Sequence, residues 1–98
     1  MSLDSVHNYY ERHVFNHIMD HYADKLDIEE VSDMACMALN RLPPKYIRYD
    51  IDMSFFMTPE QYLHVEEAVA KACKKAFKKI IQLRDLHDIR RLQQNTNT

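Results

Sequence analysis

Three cations, Arg41, Lys45 and Arg48, surround two consecutive prolines, Pro43 and Pro44, and two tyrosines, Tyr46 and Tyr49, stand among them. Ammonium and guanidinium groups pair with phosphate, and a guanidinium also stacks on planar groups. The stretch therefore has the residue types needed to hold a phosphate beside a base or another planar group. A competing arrangement pairs Arg41 and Lys45 with Asp33, Asp50 or Asp52 and packs the tyrosines in the core. Composition alone weighs the two evenly.

His13, His17 and His21 recur every fourth residue, flanked by Asp20 and Asp24. Imidazoles at that spacing on a helix can chelate a divalent metal. The stripe is expected on the side opposite Phe15, Ile18 and Tyr22, and Val14 follows His13, so no HExxH arrangement is present. A solvated polar face is the preferred reading, with metal binding adventitious at most. Lys71, Lys74, Lys75, Lys78 and Lys79 form a basic run interleaved with Ala72, Cys73, Ala76 and Phe77. That reads as a solvated face over a core stripe, or as an interface for an acidic partner. Cys36 and Cys73 lack CxxC spacing and read as small buried packing residues.

The chain contains no glycine. Walker loops, dinucleotide fingerprints and nucleophile elbows need glycine for positive φ or for close backbone approach to phosphate, so all are excluded. No Ser/His/Asp arrangement can be assembled from the spacing either. The expected protein is not an enzyme and needs no cofactor.

The elements that must position these residues are mainly helical. Val14, Phe15, Ile18, Met19, Tyr22 and Leu26 recur at three- and four-residue spacing and predict a first helix within 5–25. Asp27 and Glu30 form a capping box for a second, whose apolar stripe is Ile28, Val31, Ala35, Ala38, Leu39 and Leu42. Pro43 and Pro44 end it, because each lacks an N–H and fixes φ, giving a rigid corner. Lys45 to Asp50 alternates as a short extended segment. Its expected partner is the same segment of a second copy, or the stretch 52–56. Phe55, Phe56 and Met57 read as core plugs. Thr58, Pro59 and Gln61 then start a third helix, predicted to reach about Leu92, roughly 50 Å at 1.5 Å per residue. Its last turns either project and pair with another subunit or fray.

Ninety-eight residues allow one domain, expected over 1–92, followed by a disordered polar tail over 93–98. A chain this small buries a modest core, so a dimer interface is a natural supplement. Its apolar runs are too short to cross a bilayer and no secretion signal is legible, so a cytoplasmic location is expected. Residues 1–57 carry five Lys/Arg against ten Asp/Glu, and 58–98 carry eight against five. The net charge of −2 argues against nucleic-acid binding.

The run from Asp33 to Ile47, DMACMALNRLPPKYI, resembles the signature of the ComFB family of late competence development proteins. The order of helices around it fits that family from roughly Val6 to Leu83. The resemblance implies a small, mostly helical bacterial homodimer and a non-enzymatic sensor of cyclic dinucleotides, c-di-GMP or c-di-AMP, that signals to a protein partner. Some members hold zinc through cysteines just upstream of the signature Asp. Here 27–32 reads DIEEVS, without cysteine, so zinc is not expected. The implied ligand residues are Asp33, Asn40, Arg41, Lys45 and Tyr46, with Arg48 added on charge. Arg41, Lys45 and Arg48 would pair with phosphate, Asp33 and Asn40 would read a base edge, and Tyr46 or Arg48 would stack. The alternative is a structural or adaptor dimer in competence or motility with no small-molecule ligand.

Overall fold

A computed structural model describes residues 5–49 and 57–96, with side chains described through residue 89. The elements are β1 (His7–Asn8), α1 (Tyr10–His21), a 3-10 turn (Ala23–Lys25), α2 (Ile28–Asn40), β2 (Tyr46–Ile47) and α3 (Pro59–Thr96).

The helix starts follow from local chemistry. At α2, Asp27 Oδ1 accepts from the Glu30 N–H at 2.8 Å, and Glu30 Oε1 accepts from the Asp27 N–H at 3.1 Å. At α3, Thr58 Oγ1 accepts from Gln61 N–H at 3.1 Å and Gln61 Oε1 accepts from Thr58 N–H at 3.0 Å, with Pro59 as the first helical residue. Each reciprocal pair satisfies two backbone donors that a helix start otherwise leaves open. With 38 residues, α3 runs to Thr96, beyond Leu92 and into the stretch read as a tail. At 1.5 Å per residue it is about 57 Å long, which accounts for the 60 Å long axis of the molecule.

The core is one cluster of residues drawn from all three helices. Val14 and Ile18 of α1 meet Met34 and Ala38 of α2, and Leu42 just after it; Val65, Val69, Ala72, Cys73, Ala76 and Ile80 of α3 close the cluster with Tyr9. Small residues at 72, 73 and 76 let α2 approach α3 closely, since interaxial distance is set by the side chains at the crossing. Fully burying each branched or thioether side chain contributes about 1.5–3 kcal/mol.

Several expectations are corrected here. Phe15 and Met19, expected in the buried stripe, are 52% and 47% exposed. The face of α1 turned inward is centred on Val14 and Ile18 and includes the side of His17. A wide apolar face can be turned toward either edge, and packing against α3 chose the histidine edge. Ile28 is 85% exposed because it is the first residue of α2, while Met34, absent from the predicted stripe, is fully buried. Cys36 is exposed; Cys73 is buried as expected.

The extended segment after the prolines pairs within its own chain. β1 and β2 are antiparallel, with His7 opposite Ile47 and Asn8 opposite Tyr46. The predicted first helix is accordingly shortened at its start, where 7–8 is strand. The other partner considered, 52–56, together with Phe55, Phe56 and Asp50, lies outside the described residues.

Candidate functional site

The segment joining α2 to β2 is held through its backbone, and its side chains other than Leu42 stay outside. Arg41 caps α2, its N–H donating to Ala38 O at 3.1 Å, and Leu42 N–H donates to Leu39 O at 3.2 Å while its side chain enters the core. Pro43 and Pro44 follow, exposed. The backbone of Lys45 is then clamped from both sides: its N–H donates to Asn8 Oδ1 at 3.2 Å, and its carbonyl accepts from Tyr9 N–H at 2.6 Å. Asn8 Oδ1 also accepts from Tyr10 N–H at 3.2 Å. One buried carboxamide thus serves both the start of α1 and the approach to β2. Nothing in the spacing of the sequence marks Asn8 for this role, because its second partner is 37 residues away.

Beyond that clamp the cations and tyrosines face outward. Tyr46 and Tyr49 are 68% and 55% exposed, which removes the arrangement that packed them in the core. Arg48 lies over the Tyr49 ring at 5.2 Å and its Nη2 donates to Tyr49 Oη at 3.4 Å. Among the described residues, Arg41 and Lys45 have no carboxylate partner.

Among the described residues, the predicted ligand residues Asn40, Arg41 and Tyr46 are divided between two grooves. A groove of about 450 Å³ joins Arg41, Leu42 and Pro43 to Ala68, Lys71, Ala72 and Lys75 of α3. A second groove, about 400 Å³, joins Asn40 and Tyr46 to Asn8, Glu11, Cys36, Leu39, Leu42 and Pro44. Leu42, buried between the two, divides them. Asp33, Lys45 and Arg48 are exposed and line neither groove. Lys71 and Lys75, read from the sequence as part of a solvated basic face or an interface for an acidic partner, share the first groove with Arg41.

A third groove, about 520 Å³, runs between α1 and the first turns of α3, with His13, His17 and His21 on one wall and Tyr62, Glu66 and Glu67 on the other. The histidine stripe therefore lines a groove against α3, with His13 and His17 half-buried and His21 exposed as expected for a solvated face. His13 sits edge-on to Tyr9 at 4.7 Å and to Tyr62 at 6.1 Å, and the His17 and His21 rings are 4.4 Å apart. Burial lowers the His17 pKa, the charge of His21 lowers it further, and Asp20 opposes both. Among the described residues no group of three or more His, Cys, Asp or Glu is placed to hold a metal ion.

The family model for ComFB, described as late competence development protein, matches residues 7–83. The chain is a member of the ComFB family. The match spans both strands, α1, α2 and the part of α3 that carries the core, so the family unit coincides with the packed body of the domain. No curated protein and no solved structure matches the chain. Residues 27–32 contain no cysteine, and burial pushes the Cys73 thiol up to about 11. No helix among the described residues is long and apolar enough to cross a membrane.

Proposed function

We propose that this ComFB protein is a small, non-enzymatic, cytoplasmic regulator that binds a cyclic dinucleotide at the segment 41–48 and acts as a homodimer on a protein partner. Membership of a family described by late competence development supports a competence-related regulator. The observation that carries the ligand is the clamp on Lys45. Asn8 and Tyr9 immobilise the backbone, so Arg41, Lys45, Tyr46 and Arg48 present charge and aromatic surface to solvent from a chain already ordered. Ordering a loop costs affinity, and a pre-ordered one avoids that cost. Arginine and lysine supply charge-assisted bonds to the phosphates, Asn40 a base-edge contact, and Tyr46 a stacking face.

Isothermal titration with c-di-GMP and c-di-AMP tests the reading, with Arg41→Ala/Lys45→Ala as the comparison. Saturable binding that is lost in the double variant is expected. Absence of binding by both nucleotides to a folded wild-type protein would sink it.

A second reading, a ligand-free adaptor, is favoured by a different observation. Leu86 and Ile89 are 46% and 52% exposed on the part of α3 that extends past the core, beside the exposed lysines of the same helix. That surface suits an acidic partner with an apolar contact, or a second copy. Light scattering on the wild-type protein and on Leu86→Glu/Ile89→Glu distinguishes them: a dimer split by the charges points to self-association, and an unchanged mass to a separate partner.

A further inference from the structure

We infer that Arg41, Lys71 and Lys75 form one phosphate-binding groove, so that the cations serving the ligand come from α3 as well as from the segment after α2. The inference rests on the proposed reading for the ligand's being a nucleotide, but the anion site itself stands on geometry. The groove of about 450 Å³ is lined by these three cations and by Pro43, Ala68 and Ala72. Lys71 and Lys75 are one helical turn apart, so both ammonium groups rise on the same face of α3. Between them and Arg41 the wall is made of two alanines and a proline ring, which have no side-chain donor or acceptor and little bulk. A ligand can therefore approach the backbone closely while three positive charges surround its anionic end.

The charge count specifies the ligand class. Three cations, with no carboxylate among the lining residues, favour an anion of charge −2 or more, such as a diphosphate or two phosphodiesters held near each other. A carboxylate or a single weak anion leaves most of that charge uncompensated. The apolar wall adds room for a flat group against Pro43. Lys45 and Arg48 do not line this groove, so any contact they make with the ligand lies outside it.

The site also explains how occupancy is felt. Arg41 caps α2, and Lys71 and Lys75 lie midway along α3, so an anion held by all three ties the end of α2 to α3. Binding then stabilises the packing of those helices, by an amount that rises with the logarithm of ligand concentration over Kd.

The test is ¹H–¹⁵N NMR titration of the full chain with inorganic pyrophosphate, c-di-GMP and c-di-AMP in turn, repeated on Lys71→Ala/Lys75→Ala and on Lys45→Ala/Arg48→Ala. The expected result is a shift of the Arg41, Leu42, Lys71 and Lys75 signals with pyrophosphate. Affinity should fall about tenfold or more in Lys71→Ala/Lys75→Ala and severalfold at most in Lys45→Ala/Arg48→Ala. Both lysines are exposed, so the variant should keep the wild-type spectrum elsewhere. Pyrophosphate shifts without any nucleotide binding would uphold the groove and remove the dinucleotide reading. Nucleotide binding that Lys71→Ala/Lys75→Ala leaves unchanged would overturn the groove and leave that reading in place. No shift at these residues with any of the three probes would also overturn it.

Discussion

Glu30 and Arg84 form a two-pronged ion pair that joins the start of α2 to the last buried turns of α3. Arg84 Nη2 donates to Glu30 Oε1 at 2.8 Å and Nε donates to Oε2 at 2.9 Å, while Nη2 also reaches the Lys25 carbonyl at 3.0 Å. The same carboxylate closes the capping box with Asp27. One side chain therefore fixes a helix terminus and the register of α2 on α3. Past Arg84, α3 runs on with its next apolar residues, Leu86 and Ile89, exposed.

The pH dependence of this clasp has a definite sign. Hydrogen bonding from Arg84, and then from the Asp27 N–H, lowers the Glu30 pKa below the ordinary glutamate value. Its contribution is therefore complete above the unfolded value near 4.5 and is lost as pH falls through the lower folded value. Thermal unfolding of Glu30→Gln should show a reduced melting temperature at pH 7 and convergence with wild type as pH falls through the lowered folded value. A constant difference at all pH values would show that the carboxylate's charge is not the cause.

His17 acts in the same direction, in a higher pH window. Its pKa is lowered by burial and by His21, so it binds fewer protons when folded than when unfolded. Stability is then lost as pH falls through the unfolded value near 6.5 toward the folded one, and His17→Gln should flatten the stability curve across that window. Denaturant unfolding between pH 5 and 8 reads the change, and an unaltered slope would contradict it.

The orientation of α1 is open to a paired substitution. Ile18→Ala empties a fully buried position and should cost about 2–5 kcal/mol, whereas Phe15→Ala on the exposed side should cost within about 0.5 kcal/mol. Urea unfolding of both variants decides it, and a larger loss at Phe15 would mean that the opposite edge of the helix is buried.

Asn8→Ala removes the acceptor shared by the N–H groups of Tyr10 and Lys45, and a loss of about 1–2 kcal/mol is expected. Amide exchange at Lys45 should accelerate with it. Asn8→Asp keeps the oxygen and should retain most of the protection. Unchanged exchange at Lys45 in Asn8→Ala would refute the clamp.

The cysteines should differ in reactivity. Cys36 is exposed, while Cys73 is buried with its thiol pushed up to about 11, so at pH 8 a thiol reagent should label Cys36 alone in the folded protein and both in denaturant. Mass spectrometry after tryptic digestion locates the label. Rapid modification of Cys73 in the native state would contradict its place in the core.

Much of this protein was determined by interactions within a few residues, which the sequence displays directly. The Asp27–Glu30 and Thr58–Gln61 boxes, the end of α2 before Pro43 and the apolar repeat of α3 each depend on neighbours within one helical turn. The DMACMALNRLPPKYI run likewise pointed to the family before any packing was known. Relationships across long separations were decided only by tertiary structure. These include the pairing of His7–Asn8 with Tyr46–Ile47, the reach of Arg84 across 54 residues to Glu30, and the meeting of Arg41 with Lys71 and Lys75. Periodicity established that α1 had an apolar side, but its apolar arc was wide enough to be turned by either edge. The packing of Val14 and Ile18 against α2 and α3 selected one edge, leaving Phe15 in solvent and turning the histidines toward α3, because burial is a property of the assembled helices and not of any one of them.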